Sequence, residues 1–101
     1  MSDHHVLIGE VAETGLLIAQ AHREFLEAEV GHRKARHQAE HRLREAHPKM
    51  PAGAIALLID SDPKYLVAQQ RWNDAQVGRT SAIAVHEVAK LRAWAAVRSL
   101  G

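Results

Sequence analysis

Two clusters of side chains in this sequence could do chemistry, and the first is the segment His37-Gln-Ala-Glu-His41. It fits the H-x-x-E-H pattern of a zinc peptidase family, in which two histidines on one helical face hold the metal and the glutamate activates water. Such an enzyme needs a third ligand from another element and a substrate cleft. We therefore predict no enzyme, no cofactor and no dedicated metal site, while adventitious zinc or nickel binding by His37 and His41, or by His4 and His5, stays open.

The second cluster is basic. Residues 32 to 49 hold six lysines and arginines against two glutamates, whereas residues 1 to 31 hold one arginine against six acids. Cationic groups spaced along a helix match a phosphate backbone and give affinity without reading sequence. The alternative is an ordinary solvated helix face. The predicted nucleic-acid-binding residues are Arg33, Lys34, Arg36, Arg42, Arg44 and Lys49.

One long helix must carry both clusters, because residues 11 to 46 repeat with a heptad spacing. We call its two core-facing positions, and those of the helix that follows, the seam. One seam position is occupied by Val11, Ile18, Phe25, His32, Ala39 and Ala46, and the other by Thr14, Ala21, Ala28, Ala35 and Arg42. A helix with so narrow an apolar face needs a partner of similar length.

The second half of the chain supplies that partner after Asp62 and Pro63, a suitable cap and first-turn pair. One seam position holds Tyr65, Trp72, Arg79, His86, Ala93 and Leu100, and the other holds only alanine, at positions 68, 75, 82, 89 and 96. An unbroken alanine row lets two helix axes approach closely. His32, Arg79 and His86 predict a polar layer that fixes the pairing of the helices, or alternatively an open seam that serves an interface or a ligand.

The predicted fold class is all-α: a long antiparallel two-helix hairpin with a short helical turn at the tip. We expect a single helical-hairpin domain over residues 1–101, with a helix over about 10–47, a tip segment over 48–62 and a helix over about 63–100. The apolar run from Ala54 to Ile59 either packs back over the end of the hairpin or contacts another subunit. Because a two-helix core is small, we predict a homo-oligomer with Ile55, Leu58 and Ile59 in its interface.

Several protein classes are disfavoured by composition. The chain has no cysteine, so it has no disulfide framework and no thiolate site. The N-terminus lacks the cationic start of a signal peptide, and no apolar run approaches the length of a membrane span. We expect a soluble cytoplasmic protein without a membrane partner.

In their order along the chain, these features resemble the recombination mediator proteins of tailed phages, the UvsY type. The resemblance rests on the basic runs Arg33-Lys34-Ala35-Arg36 and Arg42-Leu43-Arg44, a short connection, the helix start Asp62-Pro63-Lys64-Tyr65-Leu66 and a long second helix. It covers roughly residues 15 to 100. The chain departs from the family in that its Lys-Ala-Arg run lies early relative to the turn, and aligning Arg42 with the DNA-contacting arginine puts Glu40 where a lysine is expected.

The resemblance implies a small helical protein that assembles into closed rings, in the host cytoplasm if it is phage-encoded. Such a protein binds single-stranded DNA and helps to load a RecA-like recombinase in place of single-strand binding protein. The alternative is a structural or adaptor coiled-coil protein whose basic end binds an acidic protein partner. An aromatic side chain beside the basic residues would favour nucleic acid, whereas aromatics within the seam leave the choice open.

Overall fold

The structure is a computed structural model that describes residues 2 to 99, with side chains from residue 5 onward. It contains α1 (Ser2–Ala46), α2 (Ala52–Ile59) and α3 (Pro63–Arg98), and no strand occurs in these residues. The two long helices pack together, which confirms the predicted all-α helical hairpin. α1 begins well before the predicted residue 10, because Leu7 continues the heptad spacing and is half-buried. Leu100 lies outside the described residues.

Proline and aspartate set the helix boundaries around the tip. α1 ends at Ala46 because Pro48 has no backbone N–H and disfavours a helical conformation at the residue before it. Pro51 precedes α2, and its carbonyl oxygen accepts hydrogen bonds from the backbone N–H groups of Ala54 and Ile55 at 3.1 Å each. The predicted short helical turn at the tip is thus a separate helix of eight residues.

The predicted seam is confirmed along most of both helices. Every predicted position of α3 from 65 to 96, and every predicted position of α1 from 11 to 39, is buried or half-buried. The prediction is wrong at Arg42 and Ala46, which are exposed. Leu43 is turned inward instead, because at this level α1 packs against α2 as well as α3.

The described chain forms two compact units. Unit 1 combines α1 up to Glu24 with α3 from Gln76 onward, and unit 2 comprises residues 25 to 75. In unit 1, the hydroxyl of Thr14 lies 2.8 Å from Nδ1 of His86 and donates to the carbonyl of Glu10 at 2.7 Å. This contact joins α1 to α3 within unit 1.

In unit 2, the polar seam residue His32 is half-buried among aromatic rings. Its Nε2 lies 3.2 Å from the hydroxyl of Tyr65, and its ring stacks on Trp72 with the centroids 4.6 Å apart. His32 and His86 thus each contact the opposite helix through specific partners. This arrangement favours the interpretation in which polar seam residues fix the helix pairing.

The tip of unit 2 contains the main apolar cluster, which we call the tip cluster. Its buried members are Ala39, Ile55, Ile59 and Tyr65, and Leu43 and Met50 pack against it. α2 therefore packs back over the end of the hairpin, as the first of the two alternatives predicted.

The tip cluster corrects the predicted oligomer interface at Ile55 and Ile59. Ile55 and Ile59 are 1% and 2% exposed, so they lie in the core of their own chain and do not face a second copy. Leu58 is half-buried. The exposed apolar side chain of α2 is Leu57, at 73%. A single face of this eight-residue helix suffices to cover the end of the hairpin.

Overpacking the alanine row is expected to destabilise the protein. Ala89 is 5% exposed in the seam, so Ala89→Leu is expected to push the helices apart and lower the free energy of unfolding by about 1–3 kcal/mol. Ala19, an exposed alanine of α1, is the matched control, and Ala19→Leu should stay within about 0.5 kcal/mol of the wild type. Urea denaturation compares the two variants. Equal stability of the two variants would mean that the helices do not approach each other closely at Ala89.

Candidate nucleic-acid interface

All six predicted cations are exposed, but half of them have carboxylate partners. Arg33 pairs with Glu29 at 2.6 Å, Arg44 with Glu40 at 2.9 Å and Arg42 with Asp62 at 3.0 Å. The other three, Lys34, Arg36 and Lys49, form no salt bridge within the described part of the chain.

The predicted cations also do not form one stripe. Glu29, Arg33, Arg36, Glu40 and Arg44 follow one another at spacings of three and four residues, so they share one flank of α1. Two glutamates among three arginines leave that flank with little net charge. Exposed pairs four residues apart stabilise a helix by only about 0.3–0.5 kcal/mol, so a phosphate could displace either glutamate.

Arg42 has a structural contact. Its guanidinium lies 3.0 Å from both carboxylate oxygens of Asp62, and the carboxylate also accepts the backbone N–H of Tyr65 at 3.0 Å. Asp62 thereby caps α3 as predicted. Arg42 ties the end of α1 to the start of α3, and its substitution would disturb the tip.

The cap makes stability depend on pH. The backbone hydrogen bond from Tyr65, followed by the guanidinium of Arg42, holds the pKa of Asp62 below its ordinary value of 3.8. A carboxylate with a lowered pKa contributes stability above its unfolded-state pKa, and this contribution is lost as pH falls through the folded-state pKa.

We expect Asp62→Ala to lower the free energy of unfolding by about 1 kcal/mol at pH 7, the usual effect of losing a cap. The difference from wild type should shrink below pH 4. Asp60 is exposed two residues earlier, and Asp60→Ala is the matched control, expected to change little. Thermal melts between pH 2 and pH 7 measure both. A difference that stays constant down to pH 2 would contradict the assigned cap.

A second basic surface involves both long helices, and we call it the unit 2 groove. It has a volume of about 210 Å³, with Ala28, Gly31 and Ala68 among its lining residues. Lys64 and Arg71 of α3 line it as exposed cations, and neither forms a salt bridge within the described part of the chain. Lys34 extends the strip of α1 that holds Glu27 and Gly31, since the spacings are four and three residues. Glu27 is the acid that lines this groove.

Sequence reasoning missed Lys64 and Arg71 because it followed the charge along one helix. The signal was present, since both residues precede a seam position of α3 directly and therefore border the interface with α1. Unit 2 as a whole holds eight lysines and arginines against seven acids. Any attraction for a polyanion therefore arises from the local arrangement of charges and not from a large net charge.

The aromatic side chains leave the choice of partner open. Tyr65 is buried and Trp72 half-buried in the seam, so neither projects beside the basic residues. Trp94 is exposed, but it belongs to unit 1, where the guanidinium of Arg98 lies 4.6 Å from its ring centroid.

The segment His37-Gln-Ala-Glu-His41 lies within α1. Among the described side chains, no group of three or more histidines and acids is arranged to hold a metal ion. Nε2 of His41 lies 3.1 Å from a carboxylate oxygen of Glu45 on the same helix.

Neither long helix, over the residues described, has a stretch apolar enough to cross a bilayer. Comparison with family models, with curated proteins and with solved structures finds no match for this chain. The similarity to the recombination mediators therefore stays an expectation from sequence.

Proposed function

We propose that this protein binds single-stranded DNA without sequence preference through the unit 2 groove, and that it serves as a recombination accessory protein. The observation that carries the proposal is a groove lined by two exposed cations, Lys64 and Arg71, with the exposed Lys34 on the adjoining strip of α1. None of the three forms a salt bridge within the described residues. Such groups can contact successive phosphates and give affinity that is independent of the bases.

The floor of the groove suits a close approach of the DNA backbone. Ala28, Gly31 and Ala68 project little, and a Cβ atom added at Gly31 would have no neighbour within 4 Å. A sugar–phosphate chain could therefore lie between the cations of the two helices. Arg36 and Lys49, which are also exposed and unpaired within the described residues, could add contacts outside the groove.

The role in recombination is supported by the resemblance of the basic runs and helix order to recombination mediators. In that role the protein would help to load a RecA-like recombinase in place of single-strand binding protein. DNA binding is the part of the proposal that the groove supports, and it is tested first.

A steric variant tests the groove without changing any charge. Gly31→Leu places a large side chain on the groove floor, and it should favour the helix because glycine costs about 1 kcal/mol in a helix interior. We expect it to weaken binding of a labelled oligonucleotide by about tenfold, equivalent to 1.4 kcal/mol. Gly9→Leu is the matched control, since Gly9 is an exposed glycine of α1 with equally open surroundings in unit 1.

Fluorescence anisotropy at low salt measures these affinities, with circular dichroism to verify helix content. Equal binding by the wild type and both glycine variants would mean that DNA does not bind in the unit 2 groove. No binding by the wild type would contradict the proposed function.

A second candidate is an adaptor that binds an acidic protein partner. The specific observation in its favour is the number of large apolar side chains on the surface, including Leu57 at 73% and Leu16 at 72% exposure. Exposed apolar surface beside charged residues is typical of protein interaction sites. Failure to bind single-stranded DNA at low salt would favour this candidate.

A further inference from the structure

The C-terminal half of α3 exposes apolar side chains on several sides. Between residues 83 and 97, six large hydrophobic residues are 43–64% exposed in addition to the seam: Ile83, Val85, Val88, Leu91, Trp94 and Val97. A solvent-facing helix usually confines its apolar residues to the face that packs on its partner, whereas one that is apolar on several sides is covered on several sides. This distribution indicates that α1 is not the only element that covers α3.

Part of this apolar surface lines a groove between α1 and α3, which we call the unit 1 groove. Its volume is about 470 Å³, and Thr14, Val85, Val88 and Ala89 are among its lining residues. Val85 and Val88 are about half exposed there. On α1, Leu17 continues the strip of Glu10 and Thr14 at spacings of four and three residues and is also half exposed.

The unit 1 groove has one charge of each sign on its two helices. Glu10 lies on α1 and Arg92 on α3, and neither side chain forms a salt bridge within the described residues. A two-fold axis parallel to the helices would place α1 of one copy beside α3 of the other. Each Glu10 would then face Arg92 of the second copy, and Val85 and Val88 of α3 would face Thr14 and Leu17 of α1.

We propose that the unit 1 groove is the surface on which a second copy of this chain docks, forming a two-fold four-helix bundle. An isologous interface uses the same patch on both chains, so a patch with an apolar centre and one charge of each sign at matching levels is self-complementary. The dimer also enlarges a core that is small for a chain of this length. The interface differs from the tip contact predicted from sequence, and the two-fold dimer differs from the closed ring that the resemblance to recombination mediators implies.

An apolar-to-charged substitution tests the centre of the interface. Val88→Asp would bury an unpaired carboxylate in the dimer but leaves the free chain folded, because Val88 is exposed there. We expect dissociation to be favoured at least about tenfold. Ile83→Asp is the matched control on the other flank of α3, where Ile83 is also exposed. It should leave association unchanged.

Sedimentation equilibrium at micromolar concentration measures the association. The wild type should have twice the chain mass of 11.2 kDa. A wild-type monomer, or a Val88→Asp dimer as tight as the wild-type one, would overturn the proposal.

Charge reversal separates contacts between chains from contacts within one chain. The single variants Glu10→Arg and Arg92→Glu each place like charges opposite one another in both symmetry-related contacts. Each variant should therefore weaken the dimer several-fold. An equimolar mixture of the two variants should associate again, because each arginine then faces a glutamate of the other chain. If the mixture stays dissociated, Glu10 and Arg92 do not meet across the interface and the two-fold arrangement is wrong.

Discussion

Replacing Ile55 with alanine is expected to lower the free energy of unfolding by about 2–5 kcal/mol, the largest stability effect of any single substitution considered for this protein. Ile55 is the largest fully buried side chain of the described residues, and it lies in the tip cluster with Ala39 and Tyr65. Truncation removes its apolar contacts and leaves a cavity, and a small cluster has few neighbouring side chains that can move to fill it.

The matched control is Leu57→Ala in the same helix. Leu57 is 73% exposed, so losing its side chain should change stability by less than about 0.5 kcal/mol. Both variants keep the helix length and add a residue of high helix propensity. Chemical denaturation followed by circular dichroism distinguishes them, and equal effects would mean that α2 does not pack over the hairpin end as described.

The second large effect concerns DNA affinity. Removing three cations together, Lys64→Ala and Arg71→Ala in the lining of the unit 2 groove and Lys34→Ala beside it, is expected to weaken binding roughly 100-fold at 0.1 M salt. Each phosphate contact to a single strand changes the slope of log affinity against log salt by about −0.7. Three contacts therefore raise the affinity at 0.1 M salt about 100-fold above its value at 1 M salt, and the variant loses this contribution.

A variant with the same net charge is the control for this experiment. Arg33→Ala, Arg36→Ala and Arg44→Ala also remove three positive charges, but from the opposite flank of α1, where glutamates neutralise two of them. It should weaken binding much less than the groove variant. If both triple variants lose affinity equally, the protein attracts DNA by its overall charge and the groove makes no specific contribution to binding.

Glu27 offers a test in the opposite direction. Its carboxylate lines the groove beside Lys64 and Arg71, and it repels a phosphate placed there. Glu27→Gln should therefore strengthen DNA binding several-fold with little effect on stability, since Glu27 is exposed. Unchanged affinity would place the DNA away from this stretch of α1.

The heptad spacing predicted the seam because helix periodicity directly determines which residues face a partner. It failed at Arg42 because the chain folds α2 back onto α1, a tertiary contact that turns Leu43 inward and that no local pattern contains. The apolar run from Ala54 to Ile59 predicted α2, but which of its residues become buried depends on how that helix docks.

The candidate site was predictable only in part. The pairs Glu29–Arg33 and Glu40–Arg44 are visible in sequence as opposite charges four residues apart, and they already indicate that these arginines are not free. The salt bridge from Arg42 to Asp62 joins residues twenty positions apart and requires the tip fold. Likewise, the unit 2 groove becomes evident only when α1 and α3 are placed side by side.

The salt dependence of single-stranded DNA binding tests the central claim most directly. Anisotropy titrations of the wild type at several salt concentrations should give a log affinity that falls linearly with log salt, and contacts by Lys34, Lys64 and Arg71 should contribute about −2 to its slope. The groove variant Lys34→Ala, Lys64→Ala and Arg71→Ala should flatten the slope by about that amount, leaving only what contacts outside the groove contribute. Absence of binding, or a slope that these three substitutions leave unchanged, would contradict the account.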